Sequence, residues 1–195
     1  MTSIIPKKDK RDLIIEAALQ IFSQKGYHHT KMEEIAVAAG IGKGTIYEYF
    51  SSKLQLLQEI MEQSFHIYDH TIAADINKSL SLEDRIRRLV EGHIGFCQNN
   101  KELTRILFLD TDIIDEELRN WAWQKRRLKE EHLQDLFEKA MLSGEIKRLD
   151  AKWLTIMLSG IFTSFWIPIA MEGWEIDAAA AAQQVTDIIM RGIKK

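Results

Sequence analysis

The sequence predicts an all-α protein on three observations. Two prolines and ten glycines are spread through 195 residues, which leaves long stretches free to be helical. Apolar residues recur at three- and four-residue spacing, while the alternating β-branched and aromatic runs that mark strands are hard to find. Finally, 46% of the residues are apolar and 28% charged, enough to bury a core and too few charges for disorder.

Each element follows in chain order. Over residues 9–25, Leu13, Ala17 and Ile21 run beside Ile14, Ala18 and Phe22, and Gly26 stands where a helix stops. Thr30 and Glu33 then read as a capping box opening a short helix over 31–39. Gly40-Ile41-Gly42 turns the chain into a third short helix over 43–50, and Ser51-Ser52 caps a fourth. Two short helices separated by a three-residue glycine turn have the layout of a helix-turn-helix. The fourth helix presents Leu54, Leu57, Met61, Ser64, Tyr68 and Ile72 on one face, long enough to join two domains, assigned here as residues 1–53 and 54–195. Further helices are expected near 81–99, 101–109, 115–143, 151–172 and 177–192.

Net charge is −3, but its distribution is uneven. Residues 1–53 hold eight Lys/Arg, among them Lys7, Lys8, Lys10 and Arg11, against six Asp/Glu. A mildly basic head on an acidic body is the asymmetry of a chain whose N-terminal end meets phosphate. The single cysteine, Cys97, excludes a disulfide framework and fits a reducing compartment. Lysines follow the first six residues at once, so no apolar signal segment forms and a cytoplasmic location is expected.

The chemistry concentrates in residues 42–53. A DNA-reading helix presents its N-terminal side chains to base edges while flanking groups hold phosphates. Lys43 supplies charge at the helix start, Gly44 removes a side chain where backbone must approach closely, Thr45 suits a base edge or thymine methyl, and Tyr47 offers a hydroxyl to phosphate. Ile46 and Phe50 should point inward, and Lys53 adds a cation beside the next helix N-terminus.

The stretch 15–57, with Ala17-Ala18, Phe22, Gly26-Tyr27, Thr30, Ala39-Gly40, Lys43-Gly44-Thr45-Ile46-Tyr47, Tyr49-Phe50, Ser52-Lys53 and Leu56-Leu57, resembles the DNA-binding domain of the TetR/AcrR repressors. That resemblance implies operator contacts from Thr30, Lys43, Gly44, Thr45, Tyr47, Tyr49 and Lys53, a C-terminal domain that binds a small effector, a homodimer, and no catalytic step or cofactor. Two residues depart from the pattern: Gly42 replaces a hydroxyl-bearing N-cap, and Glu48 puts an acid close to DNA. An effector pocket is expected from Phe96, Phe108, Trp121, Phe137, Met141, Phe162 and Trp166, with His93, Cys97 and His132 as polar members. Trp121 and Trp123, two apart, cannot both face it.

Residues 153–171 carry no charge and are apolar all round, so burial on every face is expected, half of it by a second subunit. Leu158, Ile161 and Phe165 with Val185, Ile188 and Ile189 are assigned to that interface. The run is also long enough for a membrane span, but Thr155, Ser159, Thr163, Ser164 and Pro168 and a weak basic flank favour the dimer helix and no membrane partner.

Gly40, Gly42 and Gly44 lack the spacing of a nucleotide loop and follow a helix. His93 and Cys97, four apart, bring no third ligand, so no metal is expected; the acids Asp110, Asp112, Asp115, Glu116 and Glu117 read as helix caps. Two other readings stay open: a helical enzyme or carrier using the aromatic cavity, and a DNA-binding dimer without an effector.

Overall fold

The computed structural model describes residues 9–73, 80–107 and 116–195. Phe108, Asp110, Asp112 and Asp115, Lys7 and Lys8, and the side chain of Ile72, lie outside the described residues. The described residues form helices α1 (Lys10–Lys25), α2 (Met32–Ala38), α3 (Lys43–Tyr49), α4 (Lys53–Ala73), α5 (Leu82–Asn99), α6 (Lys101–Leu107), α7 (Glu116–Leu142), α8 (Ala151–Trp166) and α9 (Ala178–Ile193), with no strand among them. The chain divides into two compact units, Met1–Phe65 and His66–Lys195. The N-terminal unit runs past residue 53 because Leu56, Leu57, Ile60 and Met61 on α4 are all buried.

In the N-terminal unit α2 packs on both α1 and α3. Ile14, Ala18 and Phe22 are buried from α1, Ile35 and Ala36 from α2, and Ile46 and Phe50 from α3 and its end. Gly26 ends α1 at φ 81°, a left-handed backbone that costs glycine nothing. The capping of α2 differs from expectation by one residue. The Thr30 hydroxyl donates back to the Gly26 carbonyl at 2.8 Å, while Glu34 accepts the Lys31 backbone N–H at 2.8 Å. Thr30 is buried in the turn, so its oxygen is not available to cap the helix. Ser52 accepts from Gln55 N–H at the start of α4, as its position implied.

In the C-terminal unit α5 is the central element, packed against α9, α8, α6 and α7. Its buried residues Ile86, Leu89, Val90, His93, Ile94, Phe96 and Cys97 cover a broad face, which a helix with neighbours on several sides requires. Ser81 caps it by accepting from Asp84 N–H, and the Glu145 carboxylate accepts from Leu82 N–H. Beyond Trp166 the eighth helix widens into a π-helical turn, Ile167–Met171, around Pro168, which has no N–H to donate. Arg105 of α6 donates to the Ala170 carbonyl of that turn at 2.9 Å.

A buried polar chain crosses this core. Tyr68 Oη and His93 Nδ1 lie 2.8 Å apart, and His93 Nε2 lies 2.9 Å from the Phe162 carbonyl. That carbonyl only accepts, so Nε2 carries the proton and Nδ1 accepts from the tyrosine. The chain therefore joins α4, α5 and α8 through a neutral imidazole. Burial pushes His93 down to about 4, with the Lys129 charge acting the same way and the Phe162 carbonyl opposing. Burial likewise pushes the Cys97 thiol up to about 11 and raises the Tyr68 hydroxyl further. The Lys129 ammonium lies 4.0 Å from the Tyr68 ring centroid and 3.2 Å from Asp69.

A histidine held neutral below its ordinary value of 6.5 makes stability depend on acid. Between about pH 4 and 6.5 the unfolded chain binds a proton that the folded chain refuses, so stability is full above this window and falls as pH drops through it. The expected loss attributable to His93 is about 3 kcal/mol. Urea unfolding at pH 7 and pH 4.5 should show a larger drop for the wild type than for His93→Gln; equal drops would refute the neutral-imidazole assignment.

Candidate nucleic-acid interface

The residues expected to touch DNA separate into two groups. Lys43, Gly44 and Tyr47 are exposed on α3, Thr45 and Tyr49 are half-buried, and Ile46 and Phe50 hold the opposite side in the core. The helix therefore offers its first turn and one flank outward while its other flank is anchored. Thr30 is placed differently from expectation: it is 2% exposed and spends its hydroxyl on Gly26. Lys53 points back into the chain, donating to the Tyr27 and Thr30 carbonyls.

Gly44 is informative because the fold has no use for it. A Cβ built there meets nothing within 4 Å, and no positive φ demands glycine. Glycine in a helix costs about 0.5–1 kcal/mol relative to alanine, and at Gly44 it leaves the outer face of the first turn of α3 open between exposed Lys43 and Tyr47.

Electrostatically the first turn is mixed. Lys43 Nζ lies 2.8 Å from Glu33 on α2, which raises the ammonium and lowers the carboxyl through their hydrogen bond. Both side chains are well exposed, so salt and competing phosphate oxygens reach the pair freely. Glu34 is lowered by Lys25, 2.6 Å away. Sequence reasoning gave Glu33 a capping role and missed its pairing with Lys43, since two adjacent glutamates leave the spacing ambiguous. Glu48 is exposed on α3 beside Tyr47.

The residues expected to line an effector pocket do not share one environment. Phe96 packs edge-on against Tyr68 at 5.0 Å, Tyr68 against His93 at 5.7 Å, and His93 against Phe162 at 5.1 Å, making one aromatic cluster. Phe137 is fully buried, and Met141 and Trp166 are half-buried. Trp121 instead borders an open cleft of about 570 Å³ with Glu116, Glu117, Asn120 and Gln124. His132 is exposed and bonds the Leu128 carbonyl of its own helix, which removes it from any interior site. Tyr68, read from sequence as one residue of a helix stripe, joins Phe96 and His93 in this cluster.

On α8 and α9 the residues assigned to an interface differ in exposure. Leu158 is 1% exposed and belongs to the chain's own core, as do Leu154 and Thr155. The outward apolar residues are Trp153, Ile156, Met157 and Ile167, with Ile188 on α9 at 72% exposure. Ile161, Phe165, Val185 and Ile189 are half-buried. By length and composition Ala151–Met171 would also reach across a membrane, and 28% of that stretch is buried.

Comparison with known proteins gives these features a family. Residues 14–60 match the bacterial regulatory proteins of the tetR family, and residues 79–193 match the tetracyclin repressor-like C-terminal domain. The fatty acid metabolism regulator protein of Bacillus subtilis is 24% identical over 188 residues, 96% of this chain and 97% of that one. The solved fatty acid degradation regulator FadR of Bacillus halodurans is 26% identical with a TM-score of 0.80, covering 95% of this chain and 97% of its own. FadR of Bacillus subtilis, solved in complex with stearoyl-CoA, superposes with a TM-score of 0.78 at 24% identity over 93% of this chain and 98% of its own. With both halves matched in order, the chain belongs to the tetR family of bacterial regulatory proteins, and it is a DNA-binding transcriptional regulator that answers to a ligand.

Proposed function

We propose that this protein is a dimeric repressor whose α3 enters the major groove of operator DNA and whose C-terminal unit releases that DNA on binding a fatty acyl ester of coenzyme A. The observation that carries the DNA half is Gly44: an exposed helical glycine with empty space above it, flanked by exposed Lys43 and Tyr47. Close approach of a phosphate backbone to helix N–H groups accounts for the missing side chain. Lys43 exchanges Glu33 for phosphate, Thr45 reads a base edge, and Tyr47 and Tyr49 position the backbone.

The effector class follows the relatives that span nearly the whole chain and regulate fatty acid metabolism. The interior around Phe96, Tyr68, His93 and Phe162 suits an apolar chain meeting a few polar groups. The dimer rests on the exposed α8 stripe of Trp153, Met157 and Ile167 with Ile188 on α9, an apolar surface that a second copy would cover. A regulator of this kind works in the cytoplasm, where its DNA lies.

Three outcomes test this reading. Gly44→Ala is expected to stabilise the folded protein by about 0.5 kcal/mol in urea unfolding while weakening operator binding by about tenfold or more. An alanine that leaves operator affinity intact would remove the close-approach argument. Met157→Glu is expected to yield monomers in sedimentation and to lose operator binding, whereas Leu158→Ala is expected to cost about 2–5 kcal/mol of stability through a cavity. In fluorescence anisotropy on the protein's own upstream DNA, palmitoyl-CoA should release the complex and coenzyme A alone should not. Retention of the complex across acyl chains from four to eighteen carbons would refute the effector class.

A further inference from the structure

Lys53 occupies the position where a lysine is expected to hold a phosphate, yet its geometry describes another task. Its Nζ donates to the Tyr27 carbonyl at 2.7 Å and to the Thr30 carbonyl at 2.7 Å, and sits 4.3 Å from the centroid of the Tyr27 ring. Those carbonyls bracket the loop between α1 and α2. The loop is closed at both ends, by Gly26 at φ 81° with its N–H on the Phe22 carbonyl and by Thr30, which returns its hydroxyl to Gly26 and its N–H to Tyr27. Thr30 is buried at its far end.

Partial burial lowers the Lys53 ammonium, with the Glu34 charge opposing, and an ammonium at the first residue of a helix faces the positive end of the helix dipole. Both costs are offset by two carbonyl oxygens just past the C-terminal end of α1 and by an aromatic face, the partners a cation seeks. An ammonium has three N–H groups, and two are committed inside the chain. Lys43 contrasts with it: its ammonium is exposed and paired with a glutamate on the surface.

We infer that Lys53 is a positioning residue whose ammonium pins the α1–α2 loop to the start of α4 and so sets where α2 and α3 stand, with Lys43 carrying the phosphate charge. This rests on the reading that α3 enters operator DNA. A pin and a phosphate ligand behave differently in salt, because each phosphate neutralised contributes about 0.9 to the slope of log K against log salt concentration. A phosphate ligand also supports specific and scrambled DNA alike, whereas displacement of the reading helix harms specific binding alone.

The experiment compares wild type, Lys53→Met, Tyr27→Leu and Lys43→Met. It measures binding to operator and to a scrambled duplex across a salt series, with hydrogen exchange of the free proteins over residues 26–30. The expected result for Lys53→Met is an unchanged salt slope, operator affinity lower by about tenfold, scrambled binding unchanged, and faster exchange in the loop. Lys43→Met should lower the slope by about one phosphate. Tyr27→Leu keeps both carbonyls and removes the ring, and should show the same pattern in smaller measure, which covers a Lys53→Met protein that fails to fold. A slope that drops by about one in Lys53→Met, or loop exchange equal to wild type in both loop variants, overturns the pin. If wild-type protein binds operator no tighter than scramble, the DNA reading has failed, and loop exchange alone then decides for or against the pin.

Discussion

One helix, α4 from Lys53 to Ala73, contributes residues to both compact units. Its buried residues serve two cores in turn: Leu56, Leu57, Ile60 and Met61 belong to the N-terminal unit, and Tyr68 to the C-terminal one. A helix resists bending over such a length because each turn is tied to the next by hydrogen bonds.

The ends of this helix are held by polar groups of different character. At the N-terminal end Lys53 grips backbone carbonyls, and on the next turns Arg11 of α1 bonds Glu59 at 2.8 Å while lying over the Phe50 ring. Near the C-terminal end Tyr68 donates to a neutral histidine in the interior. A buried hydrogen bond contributes little net, but leaving either partner unmatched costs about 1–3 kcal/mol. Such a chain therefore holds Tyr68, His93 and the Phe162 carbonyl in one matched arrangement.

Much of the DNA-binding unit was legible in the sequence because its signals are local. Gly26 and Gly40 must adopt positive φ, the spacing of Ile46 and Phe50 fixes which flank of α3 is anchored, and Ser52 announces α4. Where the local signal was doubled, the reading slipped. Glu33 and Glu34 both follow Thr30 at plausible spacing, and the choice between them depended on the loop that captured the threonine hydroxyl. On α8 the ambiguity had another origin. A segment apolar on every side has no periodicity, so nothing in it tells Leu158, which is buried, from Met157, which faces outward. The aromatic residues of α5, α7 and α8 were equally mute: composition identifies them as interior, but only the packing of α5 against α8 brings Phe96 and Phe162 together around Tyr68 and His93.

The π-helical turn at Ile167–Met171 has a consequence for how the last third of the chain is threaded. Each hydrogen-bonded ring of such a turn encloses one residue more than an α-helical ring, as the Glu172 N–H bonded to the Ile167 carbonyl illustrates. The azimuth of the helix therefore slips as it passes Pro168. Within the turn Ile169 and Ala170 are fully buried, whereas Trp153 and Met157 earlier on the helix face outward. The turn acts as a phase shifter. It turns Ile169 and Ala170 into the core, while Met171 just beyond them is 59% exposed.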